Sequence, residues 1–367
     1  RRPRPPARLA WPIPGQGPWH GAMDRTSLSI AAATAVALAV LVLPDARPLL
    51  PRYTPAKELL LVASTMVYSS RDLQMYGCWS IAQRVQAERP SRFTIWHFGG
   101  LDMIINAMKS HPQDRELLQA CAFALSSMTV FAHPIVMAAG RLGAVEEVVD
   151  IMRRFEEDPD MQLASAAGSL MTYSPENRIR WAMAGGMDVT MTAIRRHYNN
   201  SKVQFEAWCS LAAGTPEPNE DRFHELGGIE LAARVIRDHS ENQEVVAEVL
   251  QALPIIAQHS NVLRSALLEA GVPKLIVGAM RKAPKLVRMQ MSGCAILNNL
   301  AEGNLTHQEV LLRTGALEVI IETLRAFPDV ARLAGKTDLP FTVYGECMKA
   351  LEALAEVEEV RSVLEKN

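Results

Sequence analysis

The stretch GGIELAARVIR, residues 227–237, recurs in form five more times: GGLDMIINAMK from Gly99, GAVEEVVDIMR from Gly143, GGMDVTMTAIR from Gly185, GVPKLIVGAMR from Gly271 and GALEVIIETLR from Gly315. In chain order the leading glycines stand 44, 42, 42, 44 and 44 residues apart. Leu101, Ile104, Ile105 and Met108 follow Gly99 at the spacing of one buried helical face, and the other copies keep that pattern closely. Each glycine therefore opens an amphipathic helix, and the fixed period marks a helical repeat array. A basic residue closes every copy: Lys109, Arg153, Arg195, Arg237, Arg281 and Arg325. A stripe for an acidic ligand is one use of such a row. A charge at each helix's own carbonyl end is the reading preferred here.

Working outward, a polar turn such as SHPQD or DHSEN leads into a second, closing helix: QACAFALSSM, LASAAGSLM, FEAWCSLAAG, VLQALPIIAQ, SGCAILNNLAEG and CMKALEALAE. Their Ala, Gly, Ser and Cys content lets neighbouring helices approach closely. A shorter element, for example NVLRSALLEAG or THQEVLLRTG, precedes the next glycine. Three helices per unit is the armadillo plan. The stretch MSGCAILNNLAEGNLTHQEVLLRTGALEVIIETL, residues 291–324, resembles the armadillo repeats of the beta-catenin and importin-alpha type, and the looser likeness runs from Lys57 to about Leu364. The resemblance implies an all-α, right-handed armadillo-like helical repeat solenoid, with units near 55–98, 99–142, 143–184, 185–226, 227–270, 271–314 and 315–367. Extra residues around RLAGKTDLPFTVYG make the last unit atypical, as a terminal cap is.

In that family the concave surface is lined by the closing helices, where a ladder of asparagines and tryptophans holds an extended peptide. The matching positions here read Ser80, Ser127, Ser169, Ser210, Pro254, Asn299 and Ala353, so only Asn299, beside Asn298, keeps the family residue. Trp79 and Trp208 are the tryptophans of these helices. A serine cannot offer the paired donor and acceptor of an amide. Between Glu269 and Glu302 five cations, Lys274, Arg281, Lys282, Lys285 and Arg288, stand without an acid, a match for an acidic partner segment. The candidate groove residues are thus Asn298, Asn299, Lys285, Arg288, Trp79, Trp208, Ser127 and Ser210. Pro254, inside a closing helix, is expected to kink it.

The composition fits this reading. Of 367 residues, 49% are apolar and only 6% aromatic, a balance suited to helices packed through Leu, Ala, Val and Met. A net charge of −2 gives no global pull toward nucleic acid. Hydrolase, phosphate-binding and zinc-protease signatures are missing from the sequence, the histidines scatter over repeat turns, and neither a metal nor a cofactor is expected. The expectation is a non-enzymatic scaffold holding a protein or peptide.

Cys78, Cys121, Cys209, Cys294 and Cys347 lie far apart without a CxxC pair and read as reduced core residues. The amino-terminal region points elsewhere. Residues 1–22 are a Pro/Arg-rich leader, with Met23 the expected start, and residues 23–54 contain LSIAAATAVALAVLVL from Leu28 to Leu43, sixteen residues without a charge. Such a run suits a signal peptide or anchor, so a membrane tether is the alternative function, and the sequence admits cytoplasmic and secretory locations alike. The sequons at Asn199 and Asn304 are compatible with the second.

Overall fold

The computed structural model describes residues 70–357 except 163, 172–173, 216–218, 259 and 329–341, and leaves out the side chains of 164–166 as well. The leader, the uncharged run from Leu28 to Leu43, the start of the first unit, His259 and most of the extra residues of the last unit lie outside them.

Within the described residues the chain is helical and without strands. Short first helices are α2 (Ser91–His97), α5 (His133–Arg141), α8 (Pro175–Met183), α11 (Glu220–Glu225), α14 (Asn261–Glu269) and α17 (Leu305–Arg313). The glycine-led second helices are α3 (Gly100–Ser110), α6 (Ala144–Arg154), α9 (Gly186–Arg196), α12 (Gly228–Asp238), α15 (Val272–Lys282) and α18 (Ala316–Ala326). Longer third helices are α1 (Arg71–Ala87), α4 (Arg115–Thr129), α7 (Ala164–Met171), α10 (Ser201–Gly214), α13 (Gln243–Ala257), α16 (Val287–Ala301) and α19 (Val343–Leu354). The third helices pack side by side in chain order from α1 to α19, and second helices pack in a parallel row behind them. One continuous apolar core runs between the rows, from Cys78 to Leu354. This is how repeats share a core that none could bury alone.

Each leading glycine sits at the N-cap of its second helix with a left-handed φ of 70–83°, the conformation that turns a first helix sharply into a second. Where a second glycine follows, it permits close contact. A Cβ on Gly186 would strike the Trp181 indole, and one on Gly228 the Phe223 ring.

The basic residues that close the second helices act across repeats. Lys109 Nζ donates to the Leu142 carbonyl at 2.8 Å, Arg153 Nη2 to that of Ala184 at 2.7 Å, and Arg195 to that of Leu226. Leu142, Ala184 and Leu226 are the C-caps of α5, α8 and α11. The cation thus caps the first helix of the following unit, where the sequence reading placed it on its own helix.

A second corner device had not been read from sequence. The amides of buried Gln204 and Gln290, each the fourth residue of its third helix, and of Gln162, in the turn just before α7, donate to carbonyls at the end of the preceding second helix: Ile194 at 2.8 Å, both Met280 and Ala283 at 2.8 and 2.9 Å, and Phe155 at 2.7 Å. A glutamine at or just inside the start of an apolar helix was the available signal. Pro254 lies inside α13, which continues to Ala257.

The third-helix row as a candidate binding surface

The asparagine pair of α16 divides its roles. Asn299 donates from Nδ2 to the Pro254 carbonyl at 2.8 Å, and its own carbonyl accepts from Arg264 Nη1 at 3.2 Å. This ties α16 to α13 near the carboxyl end of α13. Asn298 is half-buried, and among the described residues its side-chain amide has no hydrogen bond. Lys285 is exposed in the turn before α16. Of the candidates, Asn298 and Lys285 are free to meet a ligand.

Arg288 is engaged within the chain. Its guanidinium binds Glu244 at 2.6 Å and the Glu248 carboxylate, and lies 5.7 Å from the Phe205 ring centroid. Glu248 is only 2% exposed, so Arg288 compensates a carboxylate that would otherwise be buried alone. The cation read as awaiting an acidic partner is neutralised by its own chain. A glutamate among the valines of QEVVAEVL was the signal for this.

Cys209 donates its thiol to the same carboxylate at 3.0 Å. Burial and the neighbouring charge push the thiol far above its ordinary range. It is therefore kept protonated at neutral pH, unsuited to serve as a nucleophile.

Trp208 and Ser210 are fully buried in α10, not on the groove face, because α7 and α13 pack against that helix from both sides. Trp79 is half-buried, 5.4 Å from the Phe123 ring. Ser127 donates to the Phe123 carbonyl of its own helix at 2.9 Å. The serine ladder is also out of register. Trp79 faces Phe123, and Ser169 bonds Thr129 at 2.8 Å, so Ser80 and Ser127, 47 residues apart in sequence, are not equivalent positions. Helices this rich in Ala and Ser align nearly as well when slipped by one turn.

The cysteines correct the reduced reading. Cys78 is bonded to Cys121 and Cys294 to Cys347, with Cα separations of 5.0 and 4.8 Å, and Cys209 alone is free. All four bonded residues are fully buried. The stacking of like helices places small residues of adjacent units opposite one another, which brings these sulfurs together across α1–α4 and α16–α19.

At the amino-terminal edge of the row, Arg71 bridges to Asp114 at 2.6 Å and Glu116 at 2.9 Å, and Arg115 repeats the device with Asp158 and with Asp160 at 3.0 Å. The Arg71 guanidinium holds the Asp114 carboxyl below the ordinary carboxylate range against the opposing effect of burial, and Arg115 does the same for Asp158. Among the described residues no three His, Cys, Asp or Glu side chains converge as a metal site would require, and no helix is long and apolar enough to cross a membrane.

A repeated three-helix unit, a left-handed glycine at every second-helix start and a continuous row of third helices define an armadillo-type α-helical solenoid. Solved structures carry the same fold. An engineered protein superposes with a TM-score of 0.69 at 21% identity, over 94% of this chain and 89% of its own. A second engineered protein gives 0.60 at 20%, over 70% and 98%. A designed armadillo repeat protein in complex with the peptide (KR)4 gives 0.58 at 19%, over 69% and 99%. At these identities the likeness is one of fold. No protein-family model and no curated protein matches the sequence.

Proposed function

We propose that this chain is a non-catalytic scaffold that holds an extended segment of a partner protein against its third-helix row, across α13 and α16. The observation that carries the reading is the unbonded amide of Asn298. It sits on a helix locked by the Asn299–Pro254 bond to α13, which carries exposed Ile255, and exposed Lys285 stands in the turn before that helix. An amide can give and accept one hydrogen bond with a peptide backbone, and an exposed isoleucine offers an apolar contact. That a designed protein of this fold holds a peptide supports the reading. With Arg288 engaged by Glu244 and Glu248, recognition rests on the amide more than on charge.

The test is proximity labelling by the full chain and by its Asn298→Ala/Ile255→Ser variant, after far-UV circular dichroism has established equal helicity. Partners lost in the variant are the expected outcome. An unchanged partner list would remove the third-helix row from consideration.

The membrane-tethered alternative draws on the uncharged run from Leu28 to Leu43 and on the two buried disulfides, which persist in oxidising compartments. Resistance of the full chain to alkaline extraction from membranes supports it, and release into the supernatant sinks it.

A further inference from the structure

Phe131 is the non-glycine residue that takes a positive φ among the described residues, at 56°. It stands in the turn from the third helix α4 to the first helix α5. The same turn between α16 and α17 holds Gly303, at φ 66°. At this matching position a phenylalanine takes the left-handed conformation at a steric disadvantage that glycine does not carry, whereas the turn from α1 to α2, residues 88–90, is made without a left-handed residue. Packing does not explain the choice, since the Phe131 side chain is 69% exposed. A strained residue that gives the core nothing marks a site selected for another purpose.

Its surroundings define what would bind. Arg92, on α2, donates through Nη1 to the carbonyl of Val130 at 2.5 Å, which places α2 against this turn. The same guanidinium lies 5.5 Å from the centroid of Phe93, itself 44% exposed. Arg92 Nε is buried and has no hydrogen-bond partner, and no ion pair reaches the guanidinium among the described residues. Burial and the nearby Arg89 lower its proton affinity, the mark of a cation without a counter-charge. The local sequence cannot supply one: residues 89–101 and 117–145 contain no Asp or Glu, and the Glu88 carboxylate is bound to Arg84 at 2.7 Å. Two exposed aromatic rings beside an uncompensated arginine pair thus form a surface that is apolar and cationic together.

We infer that this patch, Phe93 and Phe131 with Arg89 and Arg92, docks an acidic segment of a partner protein, a carboxylate meeting the arginines while an apolar side chain lies on the exposed rings. A carboxylate would complete the half-buried guanidinium, an interaction stronger than a surface ion pair because one partner is already partly desolvated. Arginine is among the residues that most often dominate binding energy at protein interfaces, and phenylalanine is enriched there. The patch stands on the first helices, apart from the third-helix row proposed above, and neither reading depends on the other.

The test uses the full chain as bait for a display library of random peptides. Selected sequences are expected to carry Asp or Glu within a few positions of Phe, Trp or Leu. The affinity of the leading peptide should fall by about tenfold or more in Phe131→Gly and in Arg89→Glu, while Asn298→Ala leaves it unchanged. Phe131→Gly is also expected to keep or raise the thermal midpoint, by roughly 2 °C, since glycine relieves the left-handed strain. Selection of peptides without acids, or affinity indifferent to both substitutions, overturns the proposal. So does a fall in the midpoint on Phe131→Gly, which would make the phenylalanine a structural residue.

Discussion

Along the second-helix row, neighbouring repeats are tied by a cation to a main-chain carbonyl, and the tie is the same at each junction where it forms: Lys109 to Leu142, Arg153 to Ala184, Arg195 to Leu226. Along the third-helix row the ties differ in kind, and among those named only the disulfide is used twice. A disulfide joins α1 to α4, a hydroxyl pair α4 to α7, a thiol–carboxylate–guanidinium chain runs from α10 through α13 to α16, and a second disulfide joins α16 to α19. A bond to the backbone asks little of the sequence beyond one long cation, so it recurs with the period. A bond between side chains requires two matched residues, so the ties do not follow the period. The third-helix row is where this chain has departed most from its own repeat, and it is there that a partner-specific surface can be built.

The contrast can be broken at its strongest point by reducing the Cys294–Cys347 bond. Its partners are 53 residues apart, and the loop-closure argument gives a loss of roughly 3–4 kcal/mol, concentrated in the last repeats. Urea unfolding of the unreduced chain and of its Cys294→Ser/Cys347→Ser variant, which keeps the Cys78–Cys121 bond, measures it. Thiol labelling of the denatured, unreduced protein should modify Cys209 alone, and labelling of Cys294 or Cys347 there would refute the pairing.

Next in size is Glu248→Ala, which leaves Arg288 with Glu244 alone and removes the acceptor of Cys209. Because Arg288 remains about one-third exposed, the expected destabilisation is about 2 kcal/mol, below that of a fully buried pair. Adding Arg288→Met should recover much of it, and a double variant no more stable than Glu248→Ala would disprove the coupling.

On the regular side, Arg153→Ala is expected to lower stability by only about 0.5–1 kcal/mol, the worth of a charge at a solvent-exposed helix terminus. A loss as large as that of Glu248→Ala would erase the distinction between the rows.

The smallest effect is the pH response of the Arg71–Asp114 and Arg115–Asp158 pairs. Their carboxyls titrate lower in the folded chain than in the unfolded one. The stabilisation is therefore complete above about pH 4 and is lost as the pH falls through the folded values. Partial exposure holds it under about 1 kcal/mol. Acid unfolding of Arg71→Met should lack this part of the slope, and an unchanged acid limb would deny the pair its role.

The difference between the rows also decides what was legible in the sequence. The period, the glycines and the terminal cations announced the array, because backbone-directed features repeat. The target of those cations was hidden, since a helix-end charge looks alike whether it caps its own helix or the next. The alignment of Ser80 with Ser127 slipped by a turn in helices of uniformly small residues. Arg288 read as free because its counter-charge, Glu248, sits one repeat away. Cys78 and Cys121 carried a clue left unused: two cysteines one period apart in the same class of helix face each other when repeats stack. Phe131 had no sequence signal, since only the backbone reveals its left-handed conformation.

The two disulfides stand at the first and last junctions of the described third-helix row. A helical array under tension yields from its ends, where a unit has a neighbour on one side only. Covalent links at both ends of the described row would carry load past its outermost units into the interior. A chain held by a partner at one end and pulled at the other would therefore stretch as a spring before it peeled, and a reductant would convert it from elastic element to fuse.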